Sequence, residues 1–347
     1  MVGPRWALHH SAFFLRRVYG FAVNLEKKRR YMYMTKEKEA YTFADYCEDW
    51  LTAKSSRLKA SSCAKYRAEM DNHIKPYFNN KQPCEITVEE IDAFTQMLLY
   101  EKGLSTKTVR AVLTLFRSVF VYAEKKTGQK LQRPEFVYPK EHKRTARVLD
   151  EKEEETLMRF LAREINLDKF GIYLSLRTGM RIGEVCALRW RDISFSSNTI
   201  SICNTVQRIR NFEEGIPAKT QIFIGAPKSE SSFRKIPLMP DIEKLCARFY
   251  KGMPEAFVLT GTEQCMEPRK LQRRLKKYTD ACKLKEVHFH TLRHTFATRC
   301  VEVGFDVKTL SEILGHSNVS ITLNQYVHPN MNLKRENMSR LKEGIWL

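Results

Sequence analysis

Apolar residues recur at helical spacing over most of this chain, and the pattern breaks in two places. Between Ser105 and Lys126, the residues Val109, Val112, Leu113, Phe116, Val119, Phe120 and Ala123 fall on one face of a 3.6-residue repeat, which predicts a long helix with a buried stripe. Three further helical segments precede it, near 43–54, 60–77 and 87–101. The last of these opens on Thr87-Val-Glu-Glu90, a spacing that predicts a capping box in which Thr87 and Glu90 satisfy each other's free backbone donors. The first break, over 127–148, holds Gly128, Pro134, Pro139 and a basic cluster with little periodicity, and reads as a linker. The second lies between about 191 and 239, where Thr199 to Cys203, Gln221 to Ile224 and Arg234 to Leu238 alternate or cluster apolar residues. The expected class is mostly α with a small antiparallel β-sheet (α+β), the sheet inserted in the second helical half.

The length, 347 residues, suits two domains at roughly 150 residues each. The expected division is a basic N-terminal arm over 1–40, a helical domain over 41–126, the basic linker over 127–148, a second domain over 149–330 and a C-terminal helix or tail over 331–347. The arm carries Lys27-Lys28-Arg29-Arg30; it reads equally as a phosphate-contacting segment, a solvated tail, or an upstream extension with the start at Met32 or Met34.

Lys and Arg number 60 against 40 Asp and Glu, a net charge of +20 that points to a polyanionic partner. A hydrophobic fraction of 43% argues against disorder. Arg110 and Arg117 lie off the apolar stripe, and Lys140, Lys143, Arg144 and Arg147 fill the linker; each is a candidate phosphate contact or an ordinary solvated side chain. The nine cysteines contain no C-x-x-C pair, so neither a disulfide framework nor a structural zinc site is expected, and the expected location is the reducing cytoplasm. No stretch has the roughly 18 apolar residues of a membrane span.

Four short segments of the second half concentrate phosphate-binding or proton-transferring side chains. In Thr178-Gly-Met-Arg-Ile-Gly-Glu184, Gly179 ends one helix and Arg181 begins the next, so a bidentate guanidinium joins the free N–H groups of a helix start. In Ala226-Pro-Lys228-Ser-Glu-Ser-Ser-Phe-Arg234, Lys228 sits on a polar turn between strands, where it is either solvated or poised to protonate a leaving oxygen. In His288-Phe-His290-Thr-Leu-Arg293-His294, His290 and Arg293 share a helix face. His290 and His294 are also four apart, but Thr291 stands where a zinc site of the H-E-x-x-H kind needs glutamate, so no metal is expected. The fourth segment is Leu314-Gly315-His316, with Tyr326 ten residues further on.

Each segment alone is weak. In this order, however, Arg…Lys…His-x-x-Arg…His…Tyr resembles the active-site signature of the tyrosine recombinase, or lambda-integrase, family. The pieces that carry the likeness are TGMRIGE, PKSESSFRKIPL, HTLRHTFAT and LGHSNVSITLNQYVH, and residues 42–126 look like that family's helical core-DNA-binding domain.

The resemblance implies a C-shaped clamp on duplex DNA and a site-specific recombinase. By that likeness Tyr326 attacks the scissile phosphate, giving a 3′-phosphotyrosine and a free 5′-hydroxyl. Arg181 and Arg293 clamp the phosphate, Lys228 is the general acid, His290 the base toward Tyr326, His316 a donor to the phosphate, and Glu184 an orienting group, while His294 packs. A tyrosine with an unperturbed pKa of ~10 needs such a basic setting and a proton acceptor. No metal, ATP or other cofactor is implied. The implied partners are duplex DNA with paired half-sites, three further copies in a homotetramer and an accessory directionality factor; residues 332–343 read as an amphipathic helix that either docks on a neighbouring copy or closes its own core, and the implied setting is the nucleoid. Integration or excision of a phage or other mobile element is the preferred role. Chromosome-dimer resolution and DNA inversion are alternatives, as are a type IB topoisomerase-like enzyme and a non-catalytic DNA-binding regulator.

Overall fold

A computed structural model of the chain describes residues 41–128, 135–140, 146–210, 220–227, 230–327, 335 and 338–339. The arm expected over 1–40, the candidate contacts Lys143 and Arg144, the candidate acid Lys228 and most of the C-terminal helix expected over 332–343 lie outside the described residues. The described chain forms two compact units that divide in the 140s, with Ile209 and Arg210 grouped with the first.

The first unit is helical: α1 (Phe43–Ser55), α2 (Ala60–Glu69, continuing through a π turn at Met70–Ile74 into Lys75–Phe78), α3 (Val88–Gln96, continuing through a π turn at Met97–Glu101) and α4 (Thr106–Thr127). Every residue of the stripe read from α4 is buried. The helix starts where Ser105 accepts the Thr108 N–H at 3.2 Å, and stops at Gly128, whose φ of 67° is the left-handed turn that glycine adopts without a Cβ clash. Phe43, Phe78, Phe94 and Phe116 meet in the core, with Phe43 and Phe116 stacked at 4.7 Å and Phe78 against Phe116 at 4.8 Å. Each such ring contributes roughly 1.5–3 kcal/mol through burial.

At Thr87 the expected box is half formed. Thr87 accepts the Glu90 N–H at 3.3 Å, but the Glu90 carboxylate pairs with Lys81, because a nearby ammonium attracts it more strongly than a backbone N–H does. Arg110 donates to the Pro139 carbonyl at 3.0 Å and lies over the Tyr138 ring, tying residues 135–140 to α4. Arg117 and Lys140 are exposed.

The elements of the second unit are α5 (Glu151–Ala162), α6 (Leu167–Thr178), α7 (Ile182–Ala187), β1 (Ile193–Ser194), β2 (Thr199–Ile202), β3 (Thr205–Arg210, all but its last two residues), β4 (Thr220–Gly225), β5 (Arg234–Pro237), α8 (Pro240–Phe249), α9 (Pro268–Ala281), α10 (Phe289–Glu302), α11 (Val307–Leu314) and α12 (Val319–Tyr326). The strands make two small sheets where one was expected. One runs β1-β2-β5, with β2 antiparallel to both neighbours and Ile200 opposite Ile236, and the other pairs β3 with β4. Strand β3 escaped the sequence reading because its buried residues, Val206 and Ile209, are three apart and do not alternate.

Helix α6 is the central element, packed against α10, α9, α5, α7 and α8. Helix α10 is fixed along its length by polar contacts. Arg299 bonds Glu154 at 2.8 Å and the Leu149 carbonyl at 3.0 Å, and the Leu149 N–H donates to Thr295 at 3.0 Å. Arg147 pairs with Glu153 at 2.6 Å beside the capping box of α5. Among the described residues no helix is long and apolar enough to cross a membrane.

Candidate active site

Two helices end on left-handed glycines, and the carbonyls at their ends receive arginines from two other helices. Helix α6 stops at Gly179 (φ 66°), where a Cβ would stand 2.6 Å from Phe296 of α10 and 2.8 Å from Leu314, so both the turn and the packing demand glycine. Helix α11 stops likewise at Gly315 (φ 65°).

The carbonyls left free at these ends would carry partial negative charge. Arg293, from the middle of α10, donates Nη1 to Gly179 O at 2.7 Å and Nη2 to Leu314 O at 2.7 Å. Arg181, at the start of α7, donates to Leu314 O at 3.3 Å and Gly315 O at 3.1 Å. The structure thus brings the two arginines of separate sequence motifs onto one carbonyl. Each planar fork has five N–H donors and keeps some beyond these bonds.

Glu184 is the carboxylate of this cluster. It accepts Arg181 Nη1 at 2.9 Å and the Arg181 backbone N–H at 3.0 Å, and it also accepts Arg234, Nη1 at 3.1 Å and Nη2 at 2.8 Å. Burial alone would raise the Glu184 pKa; the hydrogen bond and charge of Arg234, then the charge of Arg181, hold it below the ordinary carboxylate range.

Arg234 itself is 5% exposed and also donates to Ile313 O at 2.5 Å, so it ties β5 to the end of α11. Sequence reasoning used this residue only as the start of a strand. Its signal was its place inside PKSESSFRKIPL: side chains alternate along a strand, so Arg234 shares the face of the apolar Ile236, and a buried arginine there must find a partner. With Arg181, Arg234 and Arg293 around one carboxylate, positive charge exceeds negative, and burial and then Arg181 make the Arg293 cation harder to hold. An incoming anion relieves that excess.

Tyr326 is the last residue of α12 and is 8% exposed, in one buried cluster with Ala297, Cys300, Leu310 and Leu314. Burial raises its pKa, against the lowering effects of Arg293 and Arg181. His316 follows the α11 terminus, with Nδ1 2.8 Å from Thr322 Oγ1 and its ring parallel to Tyr326 at 6.4 Å between centroids. Its pKa is pushed down to about 4 by burial and then by Arg293, Arg181 and Arg234.

His290 lies exposed one turn before Arg293, and among the described residues no hydrogen bond meets it. Burial of its inner side, then Arg293 and Arg181, lowers its pKa. His294, expected to pack, makes a polar contact: its Nδ1 lies 2.8 Å from the Tyr326 hydroxyl. Arg181, Glu184, Arg293, His316 and Tyr326 therefore share one connected cluster, while Lys228 lies outside the described residues.

The chain matches two family models, one described as the phage integrase family over residues 147–332 and the other as the phage integrase N-terminal SAM-like domain over residues 42–99. The chain belongs to the phage integrase, or tyrosine recombinase, family. Members of this family are enzymes that cleave and rejoin DNA, and the chain is accordingly a DNA recombinase.

A tyrosine recombinase XerC-like protein of Caldanaerobacter subterraneus is 27% identical over 321 residues, covering 83% of this chain and 79% of that protein. The ICEBs1 integrase of Bacillus subtilis is 24% identical over 299 residues, 79% of this chain and 75% of the integrase. A solved structure of the Tn1549 transposon integrase in complex with a circular intermediate DNA superposes with a TM-score of 0.70 at 22% identity, covering 87% of this chain and 100% of that one. This recombinase therefore has the family's two-domain fold.

Proposed function

We propose that this recombinase integrates and excises a mobile element, using Tyr326 as the nucleophile on duplex DNA. The observation that carries the catalytic reading is the shared carbonyl of Leu314, which holds Arg181 and Arg293 side by side next to Tyr326. Two guanidinium groups so placed match the non-bridging oxygens of a phosphodiester and the charge that grows on them in the transition state.

In this reading the Tyr326 oxygen bonds to phosphorus as the bond to the 5′-oxygen breaks, leaving a 3′-phosphotyrosine. The energy of the broken bond is retained in the new one. A 5′-hydroxyl from another strand then reverses the step and exchanges partners. Glu184 sets the orientation of Arg181, His316 donates to the phosphate from Nε2 while Thr322 holds Nδ1, and Lys228 protonates the leaving oxygen.

Paired half-sites, a homotetrameric synaptic assembly and an accessory directionality factor belong to the same proposal. The mobile-element role is supported by likeness to the ICEBs1 integrase and to the Tn1549 transposon integrase, the latter solved with DNA. The XerC-like relative favours chromosome-dimer resolution as the second reading.

The test is a covalent-complex assay on nicked duplexes tiled from the DNA flanking the gene. Wild type is expected to give an adduct that survives denaturation, and Tyr326→Phe to give none. An adduct that persists in Tyr326→Phe overturns the assignment. Attachment sites in that flanking DNA support the mobile-element role, and a single site at the replication terminus supports the alternative.

A further inference from the structure

We propose that His294 takes the hydroxyl proton of Tyr326 during cleavage, in the place that the sequence pattern gives to His290. The inference rests on the reading of Tyr326 as nucleophile, and its own support is geometric. The two residues meet because α12 packs across α10. Nδ1 of His294 lies 2.8 Å from the Tyr326 oxygen, with ring centroids 5.6 Å apart, which is the distance a general base needs from the proton it removes. Gln325 places its amide Nε2 near both ring nitrogens, 3.3 Å from Nδ1 and 3.5 Å from Nε2. In the proposed step His294 is the tautomer with its lone pair on Nδ1, and the tyrosine hydroxyl donates in the 2.8 Å contact.

The groups facing His294 are His290 and Arg293 on its own helix, Gln325 and Tyr326 on α12, and His316 beyond α11. Burial first, then His290 and Arg293, push the His294 pKa down to about 4, so its imidazole is neutral and able to accept a proton at neutral pH. His290, 6.3 Å away between ring centroids, is exposed and meets no hydrogen-bond partner among the described residues.

The step balances without a further reactant. The phenolic O–H bond breaks and the proton joins Nδ1, giving an imidazolium and a tyrosinate. The tyrosinate oxygen bonds to phosphorus as the bond from phosphorus to the 5′-oxygen breaks, and that oxygen takes a proton from Lys228. On rejoining, the attacking 5′-hydroxyl gives its proton back to the Lys228 amine as its oxygen bonds to phosphorus, and the imidazolium returns its proton to the departing tyrosinate.

The experiment is single-turnover adduct formation by the full chain on a nicked duplex, followed across the acid and neutral pH range for wild type, His294→Asn and His290→Asn. A matched duplex with a 5′-bridging sulfur, whose thiolate leaves without a general acid, isolates activation of the nucleophile. His294→Asn keeps an acceptor near the Nδ1 position but cannot hold the proton. It is expected to react about 10²- to 10⁴-fold more slowly on both duplexes, with a rate that climbs with hydroxide and without the wild-type plateau. Mobility-shift binding to the same duplex should be retained, and added imidazole should restore part of the rate to His294→Ala. His290→Asn should be slower than wild type but keep its pH profile.

If His294→Asn keeps both the rate and the profile of wild type, or if His290→Asn alone loses the plateau, the inference is overturned. Failure of wild type to form an adduct on any duplex, including supercoiled DNA, would instead overturn the recombinase reading of Tyr326 and this inference with it.

Discussion

Arg234 holds Glu184 with both of its terminal nitrogens, Nη1 to Oε1 at 3.1 Å and Nη2 to Oε2 at 2.8 Å, and neither side chain is more than 5% exposed. Glu184 in turn positions Arg181, and Arg234 also bonds the Ile313 carbonyl just before the glycine turn that leads to His316. One guanidinium thus sets the position of two groups assigned to the phosphate without being assigned there itself.

Arg234→Ala leaves Glu184 buried with one cation in place of two. Breaking a buried pair costs about 3–5 kcal/mol, and because Arg181 remains, the lower end of that range is expected in thermal or urea unfolding. Arg234→Lys keeps the charge but loses the planar fork. It should retain most of the stability while forming the covalent adduct markedly more slowly, with KM for duplex DNA nearly unchanged. A lysine variant with the wild-type cleavage rate would refute a positioning role.

Acid should destabilise the second unit. His294 and His316 have pKa values pushed down to about 4 from an ordinary 6.5, so the unfolded chain binds those protons more readily than the folded one. Their contribution to stability is complete above about pH 6.5 and shrinks as pH falls toward about 4, after which both states are protonated and no more is lost. Glu184, with its pKa lowered, acts in the same direction at still lower pH, because its stabilisation is lost as pH falls through its folded value. Urea unfolding at pH 7 and pH 5 should show a drop in free energy that His316→Asn reduces. A stability independent of pH over this range would contradict the desolvated histidine cluster.

The cations proposed to meet DNA fall into two groups by what already holds them. Arg117 and Lys140 are exposed, whereas Arg110 is bound to Pro139 O and Arg147 to Glu153. Helix α9, which the sequence reading passed over, adds Arg269, Lys270, Arg273, Lys276 and Lys277, all exposed. Replacing Arg117, Arg273 or Lys277 by alanine should weaken duplex binding, and each substitution that frees a phosphate should reduce the slope of log K against log salt by about 0.9. Arg147→Ala should leave that slope in place and lower stability by about 1 kcal/mol or less, since its pair with Glu153 is only partly buried. An unchanged slope in all three of the first variants would remove these faces from the interface.

What could be read from the sequence follows from how local the cause is. The α4 stripe was legible because burial along one helix imposes a 3.6-residue period, and all seven residues read from it are in the core. The pairing of Arg181 with Glu184 was within reach because three residues separate them. The contact of His294 with Tyr326 was not, since 32 residues and the packing of two helices intervene. In sequence, His290 and His294 differ only by a turn of helix; which of them meets the tyrosine depends on where α12 crosses α10. Arg234 was hidden for a related reason, because the carboxylate that justifies burying it lies 50 residues earlier.

The two glycines that end α6 and α4 separate backbone strain from packing. Gly128 and Gly179 have nearly the same φ, 67° and 66°, but a Cβ at Gly128 meets nothing within 4 Å, while one at Gly179 lies 2.6 Å from Phe296 and 2.8 Å from Leu314. Gly128→Ala should therefore cost only the left-handed conformation, about 1–2 kcal/mol. Gly179→Ala adds overpacking of about 1–3 kcal/mol, and it displaces the carbonyl that receives Arg293. Unfolding midpoints should drop further for Gly179→Ala than for Gly128→Ala, and only the former should also slow adduct formation on a nicked duplex at a temperature where both proteins are folded. Equal losses in the two variants would mean that Phe296 and Leu314 can move aside, and that the arginine cluster does not depend on the close approach of α6 to α10.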